Sequence, residues 1–177
     1  MRTVNCSNGA RSIAALAVIW FGTALPAAAS QADIDLLQSY VGNWSGRGET
    51  VYSQTGKGET VACKMTIDTA NVPSKLNYRG KCAIAGGVVN MNGTVAYVEQ
   101  ANHYEAVMTS NTPFKGTAIG KRSGNSLSLN LRDTTDTGEA YDISSSLTLK
   151  GDNIIVDFLV TNVATGDTIS ASVPFNK

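Results

Sequence analysis

One histidine, three cysteines and four prolines stand among 177 residues, and aromatic side chains make up only 7%. A lone histidine excludes His-rich metal sites and any catalytic scheme that needs two imidazoles. Charge of one sign is not in surplus either. Fourteen basic residues balance fourteen acidic ones, so the basic footprint of a nucleic-acid binder is missing. With 42% hydrophobic residues the chain is also unlike a disordered one. No apolar stretch reaches the roughly 20 residues that a membrane-spanning helix requires. What is left has the length of one domain with a sizeable core.

The first thirty residues have the layout of an export signal. Arg2 and Arg11 lie in an acid-free start, an apolar run of about a dozen residues extends from Ile13 to Leu25, and Pro26-Ala-Ala-Ala-Ser30 follows. Cleavage is expected after Ala29 or Ser30, which makes residues 31–177 the single mature domain, in the periplasm or outside the cell. Two basic residues and Cys6 depart with the leader, so the mature chain is mildly acidic and keeps Cys63 and Cys82. An even pair of cysteines in an oxidising compartment predicts a disulfide.

Beyond a short helix expected over Asp33–Tyr40, with Ile34, Leu37 and Tyr40 on one face and its acids in the first turn, the pattern has period two. Val61, Cys63, Met65 and Ile67 alternate with polar or small residues. So do Leu76 to Ile84, Val89 to Tyr97, Tyr104 to Met108, Phe114 to Gly120, Leu127 to Leu131, Tyr141 to Leu149, Ile154 to Val160 and Ile169 to Phe175. Turn signals such as Val72-Pro73, Ser123-Gly-Asn125 and Gly151-Asp-Asn153 separate them. This predicts an all-β fold, an antiparallel meander of about 8–10 strands closed into a barrel, with a two-sheet sandwich as the alternative. A hairpin turning at Val72-Pro73 sets Ile67 opposite Tyr78, Met65 opposite Gly80 and Cys63 opposite Cys82, within reach of an S–S bond. Gly46-Arg-Gly48 and Gly56-Lys-Gly58 lack the context of phosphate loops and are expected to let strands curl.

The segment Leu37-Gln-Ser-Tyr-Val-Gly42-Asn-Trp44 brings a helical turn into a G-x-W triplet at the first strand. It resembles the opening of the calycin superfamily, which contains the lipocalins. That resemblance implies that Gly42 and Trp44 stand where the first strand enters the barrel, with the indole plugging the closed end. The lipocalin T-D-Y turn is absent and the last strand has no arginine to stack on the tryptophan, which leaves Arg132 as the candidate for that place.

Motifs for catalysis are few. Asp136-Thr-Gly138 copies the aspartic-protease triplet but occurs once and in a polar loop, where the paired carboxylates of that chemistry cannot form. His103 follows a turn without a G-x-S-x-G partner, and reads as a surface side chain. Asn43-Trp-Ser45 and Asn92-Gly-Thr94 are sequons. No cofactor motif and no metal-ligand set is present, so a non-catalytic role is expected. Tyr52, Met65, Tyr78, Tyr97, Tyr104, Met108, Tyr141 and Phe158 fall on the apolar tracks, where they either line a pocket for a small hydrophobic or amphipathic molecule or fill the interior. The alternative partner is a secreted or periplasmic protein, such as a protease or lysozyme, met by the loops Thr109–Phe114 or Asp133–Glu139.

Overall fold

The computed structural model describes residues 25–112, 116–135 and 137–177, so the leader up to residue 24, Phe114 and Asp136 lie outside the described residues. Among the described residues ten strands follow one α-helix, with a short 3-10 turn at Glu99–Ala101: α1 (Leu25–Ser39), β1 (Gly42–Tyr52), β2 (Lys57–Thr69), β3 (Lys75–Ile84), β4 (Gly87–Val98), β5 (His103–Ser110), β6 (Gly116–Ser123), β7 (Ser126–Thr134), β8 (Ala140–Lys150), β9 (Asn153–Asn162) and β10 (Thr168–Asn176). Every strand pairs antiparallel with its sequence neighbours, and β1 pairs with β10, so the sheet closes and no sandwich forms.

The hairpin register is the one the alternation demands. Ile67 faces Tyr78, Met65 faces Gly80, and Cys63 faces Cys82, to which it is disulfide-bonded. A one-residue slip would turn the apolar track of either strand to solvent.

Helix α1 starts eight residues earlier than the sequence pattern suggests, and its first turn carries no acid. The Ala-rich stretch 27–29 favours helix, and Pro26 is tolerated in a first turn, where its missing N–H is not needed. The helix runs unbroken across the expected cleavage point.

Closure demands tight contact at the β1–β10 seam. A Cβ on Gly46 would sit 2.5 Å from the Pro174 carbonyl oxygen, and one on Gly48 would overlap the Ser172 carbonyl. The glycines of the G-R-G triplet therefore let the two strands meet face to face. Gly42 is needed for a different reason: its φ of +150° is one that side-chain-bearing residues rarely adopt.

Candidate functional site

The two ends of the barrel are built differently. At the end entered by β1, α1 lies across the opening and buries Leu36, Leu37 and Tyr40. Trp44 sits beneath them, 2% exposed, and its Nε1 donates to the Tyr40 carbonyl at 2.8 Å. The Tyr40 hydroxyl donates in turn to the Leu147 carbonyl on β8 at 2.8 Å. Around this plug pack Ile67, Leu76, Val95, Leu127, Ile154 and Phe175, all buried. Gly42 and Trp44 thus occupy the places that the calycin resemblance implies. Arg132 does not reach the indole: it points outward and grips Asp142, with Nε–Oδ1 at 2.6 Å and Nη2–Oδ2 at 2.7 Å. Lys177, just past β10, supplies the cation instead, with Nζ 5.0 Å from the Trp44 ring. The register makes this necessary, because Arg132 falls on the outer track between the inward-facing Leu131 and the lumen-track Asp133.

A buried polar latch ties α1 to the wall. Asp33, buried on the inner face of the helix, accepts from the Tyr104 hydroxyl at 2.7 Å and from Arg122 Nε at 2.6 Å. Burial and this hydrogen bond hold the Tyr104 phenol far above its ordinary pKa. Tyr97 packs on Tyr104 with ring centroids 5.2 Å apart and donates to Asn102 Oδ1 at 2.9 Å.

Pairing across the sheet puts every aromatic and methionine of the expected pocket on the inward track. One row runs Ile67, Tyr78, Gly93, Met108, Gly116 from β2 to β6. Another runs Tyr97, Tyr104, Gly120, Leu129, Ser145, Phe158, Ala171, Thr50 from β4 round to β1. The eight residues nevertheless divide by height. Tyr97 and Tyr104 belong to the plug, 7% and 1% exposed. Met65 and Tyr78 stand opposite the plug residues Trp44 and Ile67, Met108 and Phe158 farther along the barrel, and Tyr52 and Tyr141 near the opposite mouth; all six are only partly buried. Toward the opposite mouth the inward-facing side chains are thus less completely buried than those of the plug.

The partly buried stretch of this track has a soft lining. Met91, on the same track as Met65 and Met108, was not singled out from the sequence, although its alternation with Val89 and Val95 marks it. Its side chain lies across Gly80, and the Tyr78 ring lies across Gly93, with Oη 2.6 Å from where a Cβ there would be. No hydrogen-bond partner among the described residues reaches the Tyr78 hydroxyl, and burial pushes its pKa up to about 12. Burial thus keeps this hydroxyl a neutral donor beside Gly93.

Both loops expected to contact a protein partner leave from the rim of the open end: the β5–β6 connection and the β7–β8 connection. His103 lies on the outer track, with Nε2 3.0 Å from Glu105 Oε1. The sequon residues Asn43 and Asn92 are exposed on the outer wall.

No family model matches the chain, and no curated protein does. Among solved structures it is similar to Rv2717c from M. tuberculosis, with 18% identity and a TM-score of 0.59 over 80% of this chain and 95% of that one. It is also similar to the S-type phycobiliprotein lyase CPES from Guillardia theta, with 9% identity and a TM-score of 0.57 over 82% of this chain and 94% of that one. At these identities the likeness is one of fold, and the fold is a calycin-like closed barrel of ten strands, plugged at one end.

Proposed function

We propose that this protein is an exported, non-catalytic carrier that takes a small hydrophobic or amphipathic molecule into the open upper half of its barrel. The observation that carries this is the set of inward-facing, partly solvent-exposed apolar side chains around Met65, Tyr78, Met91, Met108 and Phe158. Apolar walls gain by losing water to an apolar guest, and thioethers adapt to its shape. The Tyr78 hydroxyl offers a donor to an acceptor on the guest, and the polar mouth suits a hydrated head. Similar barrels include one named a lyase, so the fold itself leaves the chemistry open; the absence of a nucleophile–base pair in the sequence supports binding without turnover.

Export is supported by the leader pattern and by the Cys63–Cys82 disulfide, a bond typical of oxidising compartments. The intact mass of the protein recovered from the periplasm or medium is expected to begin at Ser30 or Gln31. Recovery of the whole chain from the cytoplasm removes this part of the proposal.

The ligand test is direct. Protein purified without denaturant is extracted with organic solvent, and the extract is analysed by mass spectrometry. A stoichiometric lipid-like species supports the carrier role. A dry extract, combined with no uptake of an apolar fluorescent probe, overturns it. Because both candidate docking loops share one rim, stoichiometric inhibition of a lysozyme or protease is the outcome that would favour a protein partner.

A further inference from the structure

We propose that the outer wall of β1–β3 binds a multiply charged oxyanion, bearing phosphate or sulfate ester groups, in the groove lined by Lys64, Arg79, Lys81 and Lys177. The groove is a depression of about 530 Å³ to which Asn43, Ser45 and Thr66 also contribute, with Trp44, Met65 and Gly80 at its floor, and no aspartate or glutamate lines it. Its cations stand on the outward track of β2 and β3, and it does not depend on the carrier role.

The pairing of the strands makes the site. Lys64 on β2 stands directly opposite Lys81 on β3. Their other cross-strand neighbours are Ser45 and Asn90, so neither ammonium has an acid beside it on the adjacent strands. Like charges in facing positions destabilise a sheet, and here the fold offers them no compensation. An anion lodged between them turns that repulsion into attraction. Arg79, two residues from Lys81, uses Nη2 to hold Asp68 Oδ2 at 3.2 Å and remains largely exposed, with donors to spare. Thr66 donates its hydroxyl to Asn43 Oδ1 at 2.9 Å, which commits the acceptor of that amide and leaves its N–H groups free. The groove therefore rims a partly apolar floor with donors and positive charge, on a chain without a surplus of basic residues. One carboxylate would answer one of these cations. Two or more linked oxyanion groups answer them together, and the size of the depression admits them.

Calorimetric titration of the mature protein with pyrophosphate, at low ionic strength, is expected to show one site that weakens as salt is added. In the double variant Lys64→Gln/Lys81→Gln the affinity is expected to fall at least about tenfold, the equivalent of one charge-assisted hydrogen bond. Lys121→Gln, an exposed cation elsewhere on the wall, is expected to bind as the wild type does. Melting curves give a second readout: the double variant, freed of the Lys–Lys repulsion, melts no lower than wild type without anion but loses the rise in Tm that pyrophosphate brings. Co-sedimentation with phosphatidylglycerol vesicles, against phosphatidylcholine as control, separates the two sources of such groups. Vesicle binding that the double variant loses places the anion on a lipid headgroup, and pyrophosphate binding without vesicle binding places it on a free molecule. Wild type that binds neither probe, or a double variant that binds as tightly as wild type, overturns the proposal.

Discussion

The Tyr104 hydroxyl donates to Asp33 Oδ1 across 71 residues of sequence, joining the inner face of α1 to the first turns of β5. Arg122 reaches the same oxygen from β6 at 2.6 Å. One carboxylate thus fastens the plug to two strands, and its contacts are largely shielded from water.

Removing either side of this latch is expected to loosen the plug unequally. Tyr104→Phe deletes one hydrogen bond and leaves Asp33 its arginine, a loss of about 1 kcal/mol. Asp33→Ala strands both a buried phenol and a guanidinium, and is expected to cost about 2–3 kcal/mol. Urea unfolding of both variants and of the double variant measures this. Equal losses, or full additivity, would show that the two side chains do not act as a unit.

Alkaline pH provides an independent measure of the filled end and of the lumen. Burial holds the Tyr40, Tyr78 and Tyr104 phenols above the ordinary value of 10.0, Tyr78 to about 12. The folded state therefore prefers their neutral forms. This contribution to stability is complete below pH 10 and is lost as pH rises, for Tyr78 between 10 and about 12. Absorbance at the phenolate band is expected to show these three silent in the native protein at pH 10.5 and released on unfolding. Ionisation of all tyrosines together near pH 10 in the folded protein would contradict the packing described.

Reduction of the Cys63–Cys82 bond is expected to lower stability by about 3 kcal/mol, the chain-entropy value for a loop of roughly 20 residues. The barrel is expected to persist, since the bond staples a hairpin that nine other strand pairings support. Denaturant midpoints with and without reductant, followed by circular dichroism, test both statements.

Gly48→Ala is expected to be far more damaging than its single added carbon implies. The new Cβ would overlap the Ser172 carbonyl and force β1 away from β10, a loss of roughly 2–3 kcal/mol with weakened closure of the seam. Hydrogen exchange of the β1 and β10 amides is the sensitive measurement. Wild-type protection in the variant would mean that the seam has slack.

Tyr78→Phe keeps the ring that covers Gly93 and removes only the hydroxyl. Affinity for an amphipathic ligand whose acceptor meets this group is expected to fall about tenfold, and affinity for a purely apolar probe to stay unchanged. Competition titrations with the extracted ligand and an apolar dye compare the two.

Much of this was legible in the linear pattern. Alternation of period two located all ten strands save β1, whose Gly46 and Gly48 interrupt its apolar track. A hairpin turning at Val72-Pro73 already sets Cys63 against Cys82, because a hairpin's register is a local property that a buried face and a short turn specify together. The G-x-W triplet likewise located the closed end. The inward orientation of the eight lumen candidates follows from parity alone.

Their depth was another matter. Parity says which face a side chain takes but not how far along the axis it sits relative to a helix that folds back, so Tyr97 and Tyr104 looked no different from Tyr78 until α1 was seen to cover them. The Asp33 latch, Lys177 over Trp44 and the β1–β10 seam share the same origin. Each joins segments 71 or more residues apart, and no local periodicity encodes such a meeting. By itself the sequence determined strands, register and the disulfide, all of which rest on neighbours in the chain. Tertiary structure alone decided how α1 covers the closed end, how deep each inward-facing side chain sits and which cations gather on the outer wall, because closing a sheet into a barrel sets distances that a single strand does not contain.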